Sequence, residues 1–398
     1  MNYDVVVVGG GPAGMASALK SNELGYKTLL VEVSDRLGGI LPQCIHPGFG
    51  LHYFKEELTG GEFADRFIKK IEGENVEILL SSYLEDLTVG NEKILKLITP
   101  NGIKKIFTKS VIFATGARER HRHEIGILGD RVAGIYTAGE AQALMDLYGV
   151  LPGEKILIVG SGDVGLIMAR RFALEGCEVV GVVEIMPYPG GLMRNVVQCV
   201  YDFDIPLLLQ HKVISVKGRK RVERALVKNL KSGKEKWINC DTLVIAAGLL
   251  PNIDIMRRIG VDVDERTKGV AVDEFFQTTL PGIFAAGNCV IINDLVDYAV
   301  EQGETAAIGA SKYIEGTLPK NIRKLRIGQN VRYFAPQRVL GNEPFLIYGR
   351  VSKPMRNVKI KIGDVVVHSY PVARPSEMFR FKVKINIEDE DVVEAEEG

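Results

Sequence analysis

Asp4–Glu32 reads DVVVVGGGPAGMASALKSNELGYKTLLVE, and Lys155–Glu184 reads KILIVGSGDVGLIMARRFALEGCEVVGVVE. Each stretch opens on a near-continuous Val/Ile/Leu run, as a parallel strand buried on both faces requires. A glycine turn follows, then a helical stretch, then a second apolar run. Each is therefore a βαβ unit, and two of them predict two nucleotide-binding domains. Gly9, Gly11 and Gly14 make GxGxxG in the first turn, with Pro12 and Ala13 between them; Gly160, Gly162 and Gly165 make it in the second, with Ser161, Asp163 and Val164. The first glycine suits a tight turn, the second lets a pyrophosphate approach the backbone, and the third lets helix pack on strand. The anion then meets the open N–H groups at the helix start. An acid closes each second strand: Glu32, 23 residues after Gly9, and Glu184, 24 after Gly160. A carboxylate there accepts the hydroxyl hydrogens of an adenine ribose. At the second site it also repels a 2′-phosphate, and the following IMPYPGG carries no basic cluster, so NAD is expected over NADP.

The rest of the chain sets the context. A length of 398 residues predicts two or three domains. Lys plus Arg number 50 and Asp plus Glu 50, so no net field favours nucleic acid or an anionic membrane. MNYDVVVVGG reads as a buried strand and not as a signal peptide, and no apolar run is long enough to span a bilayer. Five scattered cysteines (Cys44, Cys177, Cys199, Cys240, Cys289) show no CxxC and no metal spacing, as expected in a reducing cytoplasm. His121–His123 is read as a plain loop, and no metal site is expected.

VIFATGARER (Val111–Arg120) and TLPGIFAAGN (Thr279–Asn288) are apolar strands that each run into a glycine turn. With the two fingerprints they make residues 1–320 resemble the two-dinucleotide-binding flavoproteins related to thioredoxin and glutathione reductases. The resemblance implies an α/β fold with two Rossmann-like domains, the NAD domain inserted in the FAD domain. It implies FAD on residues 1–117 and 246–320 and NAD(H) on 118–245, with ATGARER and AAGLLPN as crossing points. It further implies that Arg36, Gly38, Gly39, Tyr83, Thr115, Gly116, Gly287, Asn288 and Gln302 line FAD, and that Gly248 lies near the nicotinamide. Asn288 stands where the family has Asp, and its amide oxygen would accept the same ribityl hydroxyl. N–H groups around Gln302 and Gly303, in YAVEQGETAA, would stabilise negative charge at flavin N1 and O2.

The family's disulfide reductases carry two cysteines that are missing here, so dithiol chemistry is not expected. Leu41–Phe67 (LPQCIHPGFGLHYFKEELTGGEFADRF) resembles the flavoprotein subunits of hetero-oligomeric dehydrogenases acting on proline, sarcosine, opines and glycerol-3-phosphate. That implies reversible hydride exchange between NADH and FAD, with nicotinamide C4 against flavin N5, in a complex with a second FAD dehydrogenase subunit, with or without an iron–sulfur subunit. Two alternatives stay open: an NADH oxidase or peroxidase using Cys44, with His46 lowering its pKa, and a structural flavin-binding subunit with a vestigial NAD site. His46, His52 and Lys55 line either the flavin, a partner channel or the surface. Residues 321–398 alternate with period two and predict a small antiparallel β domain. The end, EDEDVVEAEEG, predicts a mobile acidic tail.

Overall fold

The computed structural model describes residues 2–398. Both βαβ units form as read. In the first, β1 (Asn2–Val8) leads into α1 (Pro12–Glu23) and then β2 (Thr28–Val31). In the second, β3 (Lys155–Val159) leads into α2 (Asp163–Leu174) and then β4 (Glu178–Glu184). Within each unit the two strands pair in parallel. Val5, Val6 and Val7 are fully buried, each stabilising the fold by roughly 2 kcal/mol through the apolar area removed from water.

The chain divides into two compact units, one running to Ala117 and resuming at Pro251, the other Arg118–Leu250. In the first unit a seven-stranded sheet is parallel at its centre, where β1 lies between β2 and Gly102–Phe113. The strands Lys93–Thr99 and Tyr83–Thr88 extend it as an antiparallel meander. Ile283–Ala285 returns after the insertion to pair with Gly102–Phe113. The helix α3 (Val296–Glu315) then packs along α1.

The second unit holds a five-stranded parallel sheet with β3 at its centre, and a four-stranded sheet that includes His211–Gly218, Val222–Asn229 and Glu235–Asn239. It ends at Leu250, five residues later than 245. The reason is local: Ala246 lies directly under the Gly160 turn, and the Gly248 carbonyl accepts the Arg120 N–H at 3.2 Å.

Residues 321–398 form two sheets around a core of their own, but they group with the first unit. Glu274 supplies one tie, accepting the N–H groups of Leu340 and Gly341. The expected mobile tail is instead a strand. Asp391–Glu397 pairs in parallel with Arg323–Ile327 and antiparallel with Met355–Ile362. Val393 and Ala395 point inward and are fully buried, while Glu396 faces out and pairs with Lys361 at 2.6 Å. Period-two alternation outweighs the charge of the outer face.

Candidate functional site: two matched dinucleotide cradles

The two fingerprints place corresponding residues in the same way. A side chain on Gly9 would strike the Ala114 carbonyl, and one on Gly160 would strike the Ala246 carbonyl. A side chain on Gly14 would strike the Gly9 carbonyl, and one on Gly165 the Gly160 carbonyl. The middle glycines differ from these. Gly11 has only the Gly39 Cα, at 4.0 Å, beside its missing Cβ, and Gly162 has nothing within 4 Å. First and third glycines are thus demanded by packing, while the second leaves an open backbone surface. Neither α1 nor α2 has a side-chain cap, so each presents unsatisfied N–H groups there.

The two acids are held alike. Glu32 takes the Gly10 N–H on Oε2 at 2.5 Å and the Ser34 N–H on Oε1 at 2.7 Å. Glu184 takes the Ser161 N–H on Oε2 at 3.0 Å and the Met186 N–H on Oε1 at 2.9 Å. Both carboxylates are nearly buried. Every one of these oxygens accepts a backbone bond; both oxygens of Glu32, and Oε1 of Glu184, keep acceptor capacity for a ribose hydroxyl, while Oε2 of Glu184 also takes the Ser161 hydroxyl. An open anion cradle and a fixed carboxylate fit the pyrophosphate and adenosine of a dinucleotide at both places.

Other expected residues fall around the first cradle. The Gly38 N–H donates to the Gly10 carbonyl at 2.9 Å, which ties the Ser34–Gly39 segment to the fingerprint. Arg36 is exposed and lies 3.9 Å from Asp35. Tyr83, also exposed, follows Ser82, whose N–H donates to the Glu32 carbonyl at 2.9 Å. Thr115 and Gly116 are locked to Asn252. The Thr115 hydroxyl donates to the Asn252 carbonyl at 2.6 Å, and the Asn252 N–H donates to the Gly116 carbonyl at 2.9 Å.

Two expectations need correction. Gln302 and Gly303 do not start a helix: α3 begins at Val296, so their N–H groups lie inside it and the open ones belong to its first turn. Gln302 acts through its side chain, which accepts the Gly287 N–H at 3.0 Å and donates to Asn293 at 2.9 Å. Gly303 is needed where α3 crosses α1, since a side chain there would strike the Ala13 carbonyl. The Asn288 Oδ1 already accepts both the N–H and the Nδ2–H of Asn293, so a ribityl hydroxyl would meet Nδ2 as a donor.

Sequence reading missed Asp297, Asn293 and Asn252. Asp297 is buried and its Oδ1 accepts the N–H groups of His52 and Tyr53, at 3.2 and 2.7 Å. Nothing local marks it, because its partners are 245 and 244 residues away. The imidazole of His46 engages the Pro47 carbonyl at 3.0 Å, and Lys55 is an exposed turn residue at φ 58°.

In the second cradle Ser161 is fully buried and its hydroxyl donates to Glu184 Oε2 at 2.6 Å. Asp163 Oδ1 accepts the Leu192 N–H at 2.8 Å and the Asn195 amide at 2.6 Å. The loop after β4 is thereby fastened to the fingerprint. Val164 is exposed on α2, and Gly248 adopts φ 94° with no atom within 4 Å of a Cβ position.

A family model described as pyridine nucleotide-disulphide oxidoreductase matches residues 3–303. The chain belongs to that family. It is an FAD-dependent oxidoreductase that uses a nicotinamide dinucleotide. It is 26% identical over 339 residues to the mitochondrial dihydrolipoyl dehydrogenase of Caenorhabditis elegans, covering 75% of this chain and 66% of that one. The chain therefore spans about two thirds of that relative's length. It is 24% identical to the ferredoxin–NADP reductase of Picrophilus torridus, covering 79% of this chain and 95% of the relative. Among solved structures, thioredoxin reductase of T. acidophilum superposes with a TM-score of 0.68 at 24% identity, over 79% of this chain and 99% of that one. Among the described residues no helix is long and apolar enough to cross a membrane.

Proposed function

We propose that this member of the family exchanges hydride between NADH and FAD and passes the electrons to a separate redox partner, as the electron-transfer subunit of a cytoplasmic hetero-oligomeric dehydrogenase. The partner envisaged is a second FAD subunit oxidising glycerol-3-phosphate or an amino acid, with or without an iron–sulfur subunit. The observation that carries the reading is the state of the cysteines. None of the five forms a disulfide, and four have thiols held up by burial: Cys177, Cys199, Cys240 at about 12 and Cys289 at about 11. A thiol kept protonated at neutral pH is a poor nucleophile for disulfide exchange. Those four thiols offer the electrons no path, and the reading gives them an acceptor outside the chain. That a relative's name pairs ferredoxin with NADP is in keeping with exchange between a nicotinamide nucleotide and a separate redox protein.

FAD, when bound, supplies two-electron chemistry; the residues of this chain bind, orient and exclude water. Gly11 and the start of α1 hold the pyrophosphate of FAD, and Glu32 its adenine ribose. Gly162 and the start of α2 hold that of the nicotinamide nucleotide. Glu184, followed by Ile185 and Met186 with no basic residue, opposes a 2′-phosphate and favours NADH.

An anaerobic titration of the purified chain with NADH, and separately with NADPH, tests this. Bleaching of the flavin band by NADH in preference to NADPH is expected. A flavin that neither nucleotide bleaches, alone or with a partner, would sink the proposal and favour a structural subunit with a vestigial NAD site.

A second reading rests on Cys44, the partly exposed cysteine of the FAD-binding unit. It lies at the end of the turn Leu41–Gln43 and its carbonyl accepts the Gly60 N–H at 2.8 Å. NADH peroxidase activity through a sulfenic acid would then be lost in Cys44→Ser; unchanged peroxide turnover in that variant removes this reading.

A further inference from the structure

Residues 321–398 lie beyond the matched stretch 3–303, yet they grip the start of α3. Arg380 forks onto Glu301, with Nε donating to Oε2 at 2.8 Å and Nη2 donating to Oε1. The fully buried Tyr348 donates its hydroxyl to the same Oε2 at 2.7 Å. Just ahead of the helix, Asp294 pairs with Arg350 and also accepts the Met378 N–H at 2.6 Å. Tyr298 is enclosed by these groups: the Arg380 guanidinium stands 5.4 Å from its ring centre, with the Tyr348 and His52 rings at 6.1 and 6.2 Å.

The grip falls on the part of α3 that matters for the flavin. The N-cap residue Leu295 makes no side-chain cap, so the N–H groups of Val296 and Asp297 at the start of this 20-residue helix stay open, while that of Tyr298 donates to the Leu295 carbonyl at 3.2 Å. Gly303 rests against the Ala13 carbonyl at the start of the fingerprint helix. The open end of α3 is seven residues before that crossing, or about 10 Å along the axis. It presents positive potential beside the FAD cradle, where negative charge is stabilised.

We propose that the C-terminal module holds the start of α3 for FAD, and that Arg380 is a positioning residue that sets the FAD reduction potential by neutralising Glu301. The inference rests on the FAD cradle, not on the identity of the electron partner. With the pair intact, Glu301 adds no net charge within two turns of the helix start. Removing Arg380 leaves a carboxylate that opposes the negative charge FAD gains on reduction. Removing the carboxylate instead leaves a guanidinium that favours that charge. The two losses act with opposite sign, whereas a contact that only supports folding has no such asymmetry.

The test measures the FAD midpoint potential of the full-length holoprotein by dye-equilibrated anaerobic reduction. Fluorescence titration of apoprotein with FAD accompanies it. In Arg380→Met the affinity for reduced relative to oxidised FAD is expected to fall about tenfold, a shift of about 30 mV to more negative potential. Glu301→Gln is expected to shift it the other way, and Arg380→Lys to restore most of the Met variant's loss. Unchanged potentials in both charge-removing variants, or shifts of the same sign, would overturn the proposal. If Arg380→Met does not fold, Glu301→Gln, which keeps the shape of the side chain, decides alone. A positive shift supports the inference, and no shift or a negative one overturns it.

Discussion

Ser161 donates twice to one oxygen of Glu184, through its N–H at 3.0 Å and its hydroxyl at 2.6 Å. The same hydroxyl accepts the Gly190 N–H at 2.8 Å, so one side chain joins the fingerprint turn, the strand end and the loop beyond it. In the first cradle Gly10 makes the N–H bond to Glu32 but has no hydroxyl to offer. Ser161→Ala leaves the Gly190 N–H without its acceptor and the Glu184 carboxylate with one donor fewer. The loss of one or two such bonds costs about 1–2 kcal/mol. The KM for NADH is therefore expected to rise roughly five- to thirtyfold, with FAD content unchanged; an unaltered KM would mean that the hydroxyl does not shape the nucleotide site.

Gly162 and Gly165 separate binding from folding. Gly162 has φ −65° and open space around its Cβ position, so Gly162→Leu is compatible with the fold while it fills the pyrophosphate surface. Reduction by NADH should be abolished, with the visible flavin spectrum retained. Gly165→Leu forces a side chain into the Gly160 carbonyl and should instead destabilise the whole 118–250 unit. Thermal unfolding of the two variants distinguishes the cases, and a Gly162→Leu protein that NADH still reduces at the wild-type rate would refute the assignment of the second cradle.

Glu184 is expected to govern the choice of nucleotide. Replacing Glu184 by Gln and the exposed Ile185 by Arg removes the repulsion of a 2′-phosphate and adds a partner for it. The ratio of kcat/KM for NADH over NADPH should fall at least about tenfold, as one charge-assisted hydrogen bond of roughly 1.5–3 kcal/mol allows. No change in the ratio would place the discrimination elsewhere.

Asp273 makes stability depend on pH. Burial, reinforced by neighbouring Glu274, holds its carboxyl up at about 7, although its Oδ1 accepts the N–H groups of Phe275 and Gln277. In the unfolded chain it ionises near the usual value of about 4. Its ionisation therefore opposes folding, and the stability lost grows as pH rises from about 4 to about 7, then levels off. Asp273→Asn keeps the amide oxygen as acceptor and removes the charge. Its thermal midpoint should gain several degrees on wild type at pH 8 and little at pH 5; an equal difference at both values would show that Asp273 is not the group responsible.

Legibility in the sequence followed the range of the interactions. The elements of both cradles lie within about 30 residues of each other, and their glycine spacing, buried strands and closing acids are visible by inspection. The motif points to the backbone of Gln302, but Gln302 works through a side chain that reaches back to Gly287 and across to Asn293. Asp297 left no signal, because its partners come from a loop far away in the chain. The end of the chain misled for a different reason: the charges of Asp391–Glu397 suggest solvent, while Val393 and Ala395, two residues apart, fix the inward face of a strand.

By itself the sequence determined that there are two βαβ units, that each carries an anion cradle with a carboxylate, and that no close pair of cysteines accompanies them. These depend on local geometry: backbone conformation at glycine, the periodicities of strand and helix, and residue spacing within one motif. Only the tertiary structure decided where α3 starts, which residues hold Gly287, and that Arg380 and Arg350 meet Glu301 and Asp294. The two arginine pairings join residues 56 and 79 positions apart. They form only once the sheets have brought the segments together, and packing, not spacing, selects the partner.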